Sequence, residues 1–326
     1  MKKVLKVLGI VLGSLVLLAG SFCTYVAILG VPTYDKPTVP VVSVEVTPER
    51  VSRGEIISQI QCMGCHSDNN NQLTGKYMGE VPALFGKIYS KNITQDKEKG
   101  IGQWTDGQLI YFLRTGLRAD GSYAPVMPQY PNLSDEDLSS VVAWLRSDRF
   151  PVQPNSTEPQ SSDFSFFTKL LTHLVMKPLP YPQHFVAPAD STNSLALGKY
   201  TADALGDCFG CHSANFVDQD KINTERTKGY YGGGNEMVGI DGQKVLTANL
   251  TFDEQTGIGR KYTREQFIKA VKLGVRPDGS ILKYPMTPKM GLSDREVGAI
   301  YDYLKTIPKI KNDIESKNAE LEMRKK

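Results

Sequence analysis

Two long stretches of this 326-residue chain answer one another segment by segment, which limits the fold to two related units plus whatever surrounds them. RGEIISQIQCMGCHS near residue 60 pairs with LGKYTADALGDCFGCHS near residue 205, and NITQDKEKGIGQWT from Asn92 with NLTFDEQTGIGRKYT from Asn249. RADGS from 118 pairs with RPDGS from 276, and NLSDEDLSSVVAWL with GLSDREVGAIYDYL. The offset grows from 146 at the cysteines to 157 at the Asn-x-Thr segments and 159 at the closing segments. The second copy therefore carries an insertion, placed within residues 213–248 and including the run Tyr231, Gly232, Gly233, Gly234, which reads as flexible.

Both copies read as short helices separated by turns. Thr105 with Gln108, and Thr263 with Gln266, give capping-box starts; apolar stripes follow, and Gly116 or Gly274 stops the helix. Ser134 with Asp137 and Ser293 with Glu296 open the closing helices in the same way. No long alternating pattern marks a strand, so the expected class is all-α, with two tandem units. The expected organisation is an apolar N-terminal segment (1–34), a proline-rich extended stalk (35–46), a first unit (47–149) and a linker (150–189). A second unit (190–308) and a charged, solvated tail (309–326), with a frayed helix as its alternative form, complete it. Within the linker, Phe164 to Met176 reads as a short amphipathic helix.

Residues 7–31 contain no charged side chain, and about 25 residues at about 1.5 Å rise can cross a hydrocarbon core of about 30 Å. Lys2, Lys3 and Lys6 precede this segment, so the positive-inside tendency places the N-terminus in the cytoplasm and both units outside. A cleaved signal peptide is the alternative, but the apolar run is long for one. Cys23 lies inside the apolar helix. The formal charge is only +3, with 11 basic and 13 acidic residues in 40–149 and 16 and 15 in 190–309. Neither unit is a nucleic-acid binder, and strong charge steering is not the main recognition device.

The other four cysteines fall into Cys62-Met63-Gly64-Cys65-His66 and Cys208-Phe209-Gly210-Cys211-His212. Two thiols on one helical turn can each add to a haem vinyl group, and the next residue, His, can reach the iron. A four-Cys zinc site or a pair of redox dithiols is the competing reading. The predicted cofactors are two covalently bound haem c groups, with His66 and His212 as proximal ligands. Met127 and Met286, each six residues before the Leu of a Leu-Ser-Asp motif and set among prolines, are the expected distal ligands. Met290 is the rival in the second unit, with Met78 and Met237 more remote. Trp104 and its counterpart Tyr262, and Arg118 and its counterpart Arg276, are candidates to bond haem propionates. His173 and His184 have no duplicates and are expected away from iron. No phosphate loop or Ser/His/Asp set is present, so no catalytic residue is assigned.

With C-x-x-C-H, the N-I-T/N-L-T segments, G-I-G before an aromatic, D-G-S and the Met/Pro loops together, each unit resembles class I cytochrome c. The pair is similar to the cytochrome c subunits of membrane-bound bacterial alcohol and gluconate dehydrogenases. That family usually carries three haem domains where this chain has two. The resemblance implies helices wrapped round each haem and an electron carrier of the respiratory chain rather than an enzyme. It would be anchored in the bacterial inner membrane, with its haem domains in the periplasm. Its partners would be a dehydrogenase or respiratory complex on one side and an oxidase or soluble cytochrome on the other. A dihaem cytochrome c peroxidase is the alternative; such an enzyme needs an open or displaceable iron ligand, whereas the repeats offer equivalent methionines.

Overall fold

The computed structural model describes residues 2–239 and 242–323; expectations for Met1, for residues 240–241 of the insertion and for 324–326 of the tail lie outside them. Helix α1 (Lys2–Leu29) has a mean hydropathy of 2.2 over its most apolar window and is exposed along its length except at Val26. From Gly30 the chain runs extended along the first unit. Thr33 bridges Ser122, Tyr34 N–H donates to Gly121 O at 2.9 Å, and Val44 N–H donates to Asp106 Oδ2 at 2.9 Å.

Two corresponding sets of helices follow. The first is α2 (Pro48–Gln61), α3 (Met63–His66), α4 (Asp106–Thr115) and α5 (Asp135–Leu145). After α6 (Phe166–Leu174) comes the second: α7 (Ser194–Lys199), α8 (Cys208–His212), α9 (Arg264–Leu273) and α10 (Asp294–Leu304). Capping boxes form at Thr105/Gln108, Thr263/Gln266 and Ser293/Glu296, and Gly116 and Gly274 end their helices in the left-handed region. At α5, Ser134 accepts from Asp137 N–H, but the Asp137 carboxylate does not return to Ser134 N–H. It is engaged by Arg53 and Tyr200 instead.

Within each set the first helix crosses the last, α2 on α5 and α7 on α10. Both crossings need glycine: a Cβ on Gly54 would lie 1.9 Å from Ser140 O, and one on Gly198 2.0 Å from Ala299 O. Trp144 and Tyr303 pack beside these contacts. Eight positions separate Gly54 from Cys62 and ten separate Gly198 from Cys208. The longer second copy is wound as a π-helix over Tyr200–Leu205, which continues from α7 and takes up the extra length before α8.

Three expectations need correction. The chain is helix-rich but not all-α. β1 (Gly86–Lys87) pairs antiparallel with β2 (Asp163–Phe164), and β3 (Glu236–Val238) with β4 (Lys244–Leu246). Strands this short leave no readable period. The Tyr231 to Gly234 run is not loose: Tyr231 is fully buried with its hydroxyl on Asp203 at 2.7 Å, and a Cβ on Gly233 would lie 2.4 Å from Thr247 O. The helix allowed for the tail, α11 (Ile314–Met323), is packed rather than frayed and solvated: Asn318 accepts from Leu246 N–H at 2.8 Å and donates to Leu246 O at 3.0 Å, closing over β4.

The two sets meet directly. Arg53 bonds Asp137 at 2.7 and 2.9 Å and Glu296 at 3.0 Å. Tyr200 donates to Asp137 Oδ2 at 2.6 Å and accepts from Ser134 N–H at 3.1 Å. One buried apolar cluster runs through both halves, from Ile57 and Trp144 to Leu205, Phe209 and Leu304.

Candidate functional site

Cys62, Cys65 and His66 share one helical turn, with the amides of Cys65 and His66 both donating to Cys62 O at 3.2 and 2.9 Å. Cys208, Cys211 and His212 lie together on α8. None of the four thiols is in a disulfide. Burial pushes Cys62, Cys65 and Cys211 up to about 11 and Cys208 to about 12, so at neutral pH the free side chains are thiols. Among the described residues no three His, Cys, Asp or Glu side chains converge on a metal-holding group, so the zinc alternative has no assembled site.

The two histidines are held alike. His66 Nδ1 lies 2.6 Å from Lys91 O, and His212 Nδ1 lies 2.9 Å from Ala248 O. A backbone carbonyl fixes the proton on Nδ1 and leaves the Nε2 lone pair to ligate a metal. Burial also holds both imidazoles below their ordinary pKa, favouring the neutral ring.

The residue after each carbonyl explains the Asn-x-Thr repeat. Asn92 Oδ1 accepts from Thr94 N–H and Oγ1 at 2.9 and 2.7 Å, and its Nδ2 donates to the carbonyls of Asn155 and Thr157 at 2.8 and 3.0 Å. Asn249 repeats this with Thr251 at 3.0 and 2.7 Å, and donates to Ile310 O at 2.7 Å. Both asparagines and both threonines are buried. Each clasp ties the histidine's carbonyl partner to the chain that follows a closing helix. Sequence reading found this repeat without its role, because partners 61 or 63 residues away leave no local trace.

The methionine loops also correspond. Arg118 N–H donates to Ser122 O and Arg276 N–H to Ser280 O, at 2.9 and 2.8 Å, forming matching D-G-S turns. Tyr130 N–H then returns to Leu113 O and Lys289 N–H to Val271 O, both at 2.8 Å. Met127 and Met286 are half-buried between these anchors, whereas Met290 is 72% exposed. Met78 and Met237 are buried on other segments, Met237 within β3.

Arg118 lies over the Phe112 ring at 5.2 Å and donates to Ser122 Oγ at 3.1 Å; Phe112 packs edge-on against Trp104 at 5.6 Å. Arg118, Phe112 and Trp104 thus form one group. In the second half the half-buried Tyr262 has its carbonyl bonded by Tyr301 OH at 2.9 Å and feels the charge of Arg276. His173 instead contacts α1, with Nε2 2.9 Å from Gly30 O, and His184 is exposed.

Several polar groups were not visible as site features in the sequence. Ser67 and Ser213, each directly after its histidine, have buried hydroxyls without a hydrogen-bond partner, as does Tyr130. Such matched orphans fit a site completed by a bound group that brings its own polar atoms. Tyr130 and Lys289 occupy corresponding loop positions, and both reach the cysteine motifs electrostatically: Tyr130 toward Cys62 and Cys65, Lys289 toward Cys208, Cys211 and Cys65. Asp203, in the π-helix, accepts hydrogen bonds from Thr224, Tyr230 and Tyr231 at 2.6–2.8 Å and faces Lys199 Nζ at 3.7 Å.

Residues 51–148 match the cytochrome c family model. The chain is 29% identical over 306 residues to the fructose dehydrogenase cytochrome subunit of Gluconobacter japonicus, covering 89% of this chain and 59% of that protein. It is 29% identical over 276 residues to the alcohol dehydrogenase (quinone) cytochrome c subunit of Gluconobacter oxydans, covering 80% and 55%. It is 29% identical over 273 residues to the gluconate 2-dehydrogenase cytochrome c subunit of Pantoea cypripedii, covering 79% and 59%. The chain spans a little over half the length of these relatives, and they lend no support to the peroxidase alternative. Residues 51–148 therefore form a cytochrome c domain, in a chain homologous to the cytochrome c subunits of bacterial fructose, alcohol and gluconate dehydrogenases.

Proposed function

We propose that the chain is a membrane-anchored dihaem cytochrome c, the electron-transfer subunit of a dehydrogenase complex. Its two tandem haem domains would be residues 47–149 and 190–308. The observation that carries this reading is the matched pair of histidines beside two cysteines on a helical turn, each with Nδ1 on a backbone carbonyl and Nε2 free.

Cys62 and Cys65, then Cys208 and Cys211, would hold haem c through thioether bonds. His66 with Met127, and His212 with Met286, would be the axial pairs. The exposure of Met290 supports Met286 in that role, because a distal ligand sits inside the haem crevice. Haem c, when bound, supplies a one-electron Fe(III)/Fe(II) couple, which thioether ligation biases toward Fe(II). The protein's own contribution is positional. The carbonyls of Lys91 and Ala248 orient the imidazoles, the asparagine clasps hold those carbonyls, and the proline-flanked loops present the thioethers. Arg118 with Trp104, and Arg276 with Tyr262, are the groups offered to the propionates.

Helix α1 would anchor the chain in a bacterial inner membrane, with the haem domains on the periplasmic side, as Lys2, Lys3 and Lys6 before an uncharged span favour. Electrons would enter from a dehydrogenase partner, as the names of the relatives suggest, or from a respiratory complex, and leave to an oxidase or soluble cytochrome. The test is the oxidised absorption spectrum of the haem-loaded protein, in wild type and in Met127→Ala and Met286→Ala. Two methionine-sulfur-to-iron bands, each abolished by its own substitution, are expected. A wild type with one band or none would overturn the assignment and reopen peroxide chemistry.

A further inference from the structure

Helix α6 buries threonines while part of its apolar face stands in the open. Its fully buried side chains are Thr168 and Thr172, while Phe166, Leu174 and the adjoining Val175 are 43, 56 and 53% exposed. The helix is firmly tied to the first domain: β2 leads into it by pairing with β1, Ser165 N–H and Thr168 Oγ1 donate to Phe85 O at 3.1 and 2.7 Å, and Phe167 packs edge-on against Phe85 at 5.7 Å. A rigid element that turns threonines inward and large apolar side chains outward is explained only if its outer surroundings are not water.

What those surroundings are follows from α1. The His173 ring packs edge-on against Tyr25 at 5.6 Å, and its Nε2 lies 2.9 Å from Gly30 O, at the end of α1 where a carbonyl lacks a helical partner. Val26, the one buried residue of α1, lies on this contacting stretch. Residues 25–30 span about 7 Å of helix, and a core of about 30 Å takes about 20 residues from Val7, so this stretch sits where hydrocarbon gives way to headgroups. Lys177 Nζ caps the far end of α6, donating to the carbonyls of Thr172 and His173 at 3.0 and 2.7 Å, which holds a cation at the same depth.

We infer that α6 is a second, in-plane membrane contact: Phe166, Leu174 and Val175 enter the outer boundary of the bilayer beside α1, with Lys177 at the level of anionic phospholipid headgroups. This rests on α1 being a membrane anchor. Its consequence is that the first domain is clamped to the membrane at two points, which fixes the direction its haem motif faces.

The test uses the full haem-loaded chain in phosphatidylglycerol-containing liposomes, on a Cys23→Ser background. Single nitroxides are placed by Leu174→Cys on α6, Leu15→Cys within α1 and Leu195→Cys, an exposed site on α7. Collision rates with oxygen and with an aqueous nickel chelate are then compared. The expected order of depth is Leu15, then Leu174, then Leu195, with nickel collisions at 174 several-fold below those at 195. A deep label at 15 with a fully aqueous label at 174 overturns the inference and leaves the anchor standing. An aqueous label at 15 overturns the anchor and the inference with it. A label at 174 shielded from both reagents points to a protein partner on α6 and overturns the lipid contact.

Discussion

Arg53 on α2 reaches Glu296 on α10 at 3.0 Å, across 243 residues of sequence, while its other edge is bidentate on Asp137. One guanidinium thus joins corresponding acidic residues from the first turns of both closing helices. The pairs are partly exposed, so their worth is limited by solvent screening. A double-mutant cycle with Arg53→Ala and Glu296→Ala should return a coupling of about 1 kcal/mol in denaturant unfolding. It should also loosen the junction, seen as faster amide exchange in α2 and α10 without loss of bound haem. Strict additivity of the two substitutions would show that the halves are held by apolar contact alone.

The glycines at the helix crossings separate the two halves experimentally. An added Cβ at Gly54 or Gly198 cannot avoid a backbone carbonyl, so Gly54→Ala and Gly198→Ala should each cost about 3 kcal/mol or more in their own half. On the proposed dihaem reading each should lower the haem-to-protein ratio from two toward one, and proteolysis should cut the damaged half first. A variant that keeps both haems at wild-type stability would contradict the close crossing.

These crossings also show what could be read from the sequence and what could not. The capping signals, the stops at Gly116 and Gly274 and the paired cysteine-histidine motifs are local, so the residues that specify them are adjacent in the chain. The roles of Asn92, Asn249, Arg53 and Tyr200 depend on partners more than 60 residues away, and only the fold brings those together. The hairpin β3–β4 and the ordered Tyr231 run were missed for a related reason. A Gly-Gly-Gly stretch reads as flexible unless one knows that a buried carboxylate, Asp203, captures the hydroxyls of Tyr230 and Tyr231.

That carboxylate gives a pH dependence. Burial raises the Asp203 pKa, against hydrogen bonds from Thr224, Tyr230 and Tyr231 and the charge of Lys199. The folded state therefore holds a proton that the unfolded chain releases near the ordinary aspartate value of about 4. Its contribution to stability is full below that pH and is lost as pH rises toward the folded value. Compared with wild type, Asp203→Asn should flatten the fall in melting temperature as pH rises above the ordinary aspartate value of about 4. Identical slopes for the two proteins would mean that Asp203 is ionised in the folded state throughout.

Tyr130 and Lys289 stand at the same place in the two methionine loops, each returning its N–H to the helix before it at 2.8 Å, but only one carries a charge. The Lys289 ammonium lies within electrostatic reach of Cys208, Cys211 and Cys65, and burial depresses its pKa. On the proposed dihaem reading a cation there would oppose the extra positive charge of Fe(III) and raise the reduction potential of the second haem above that of the first. Lys289→Gln should lower that potential by roughly tens of millivolts, the scale of one partly screened charge at haem distance. Tyr130→Lys should raise the potential of the first haem, by less than this because Asp207 nearby offsets part of the new charge. Potentiometric titration of the two haems in both variants and in the double exchange checks this. The larger shift is expected at the haem of the loop that is changed, opposite in sign between the two variants, with a smaller effect of Lys289→Gln on the first haem through its reach to Cys65. No shift in either would mean that solvent screens both positions, and the loops would then differ in packing rather than in charge.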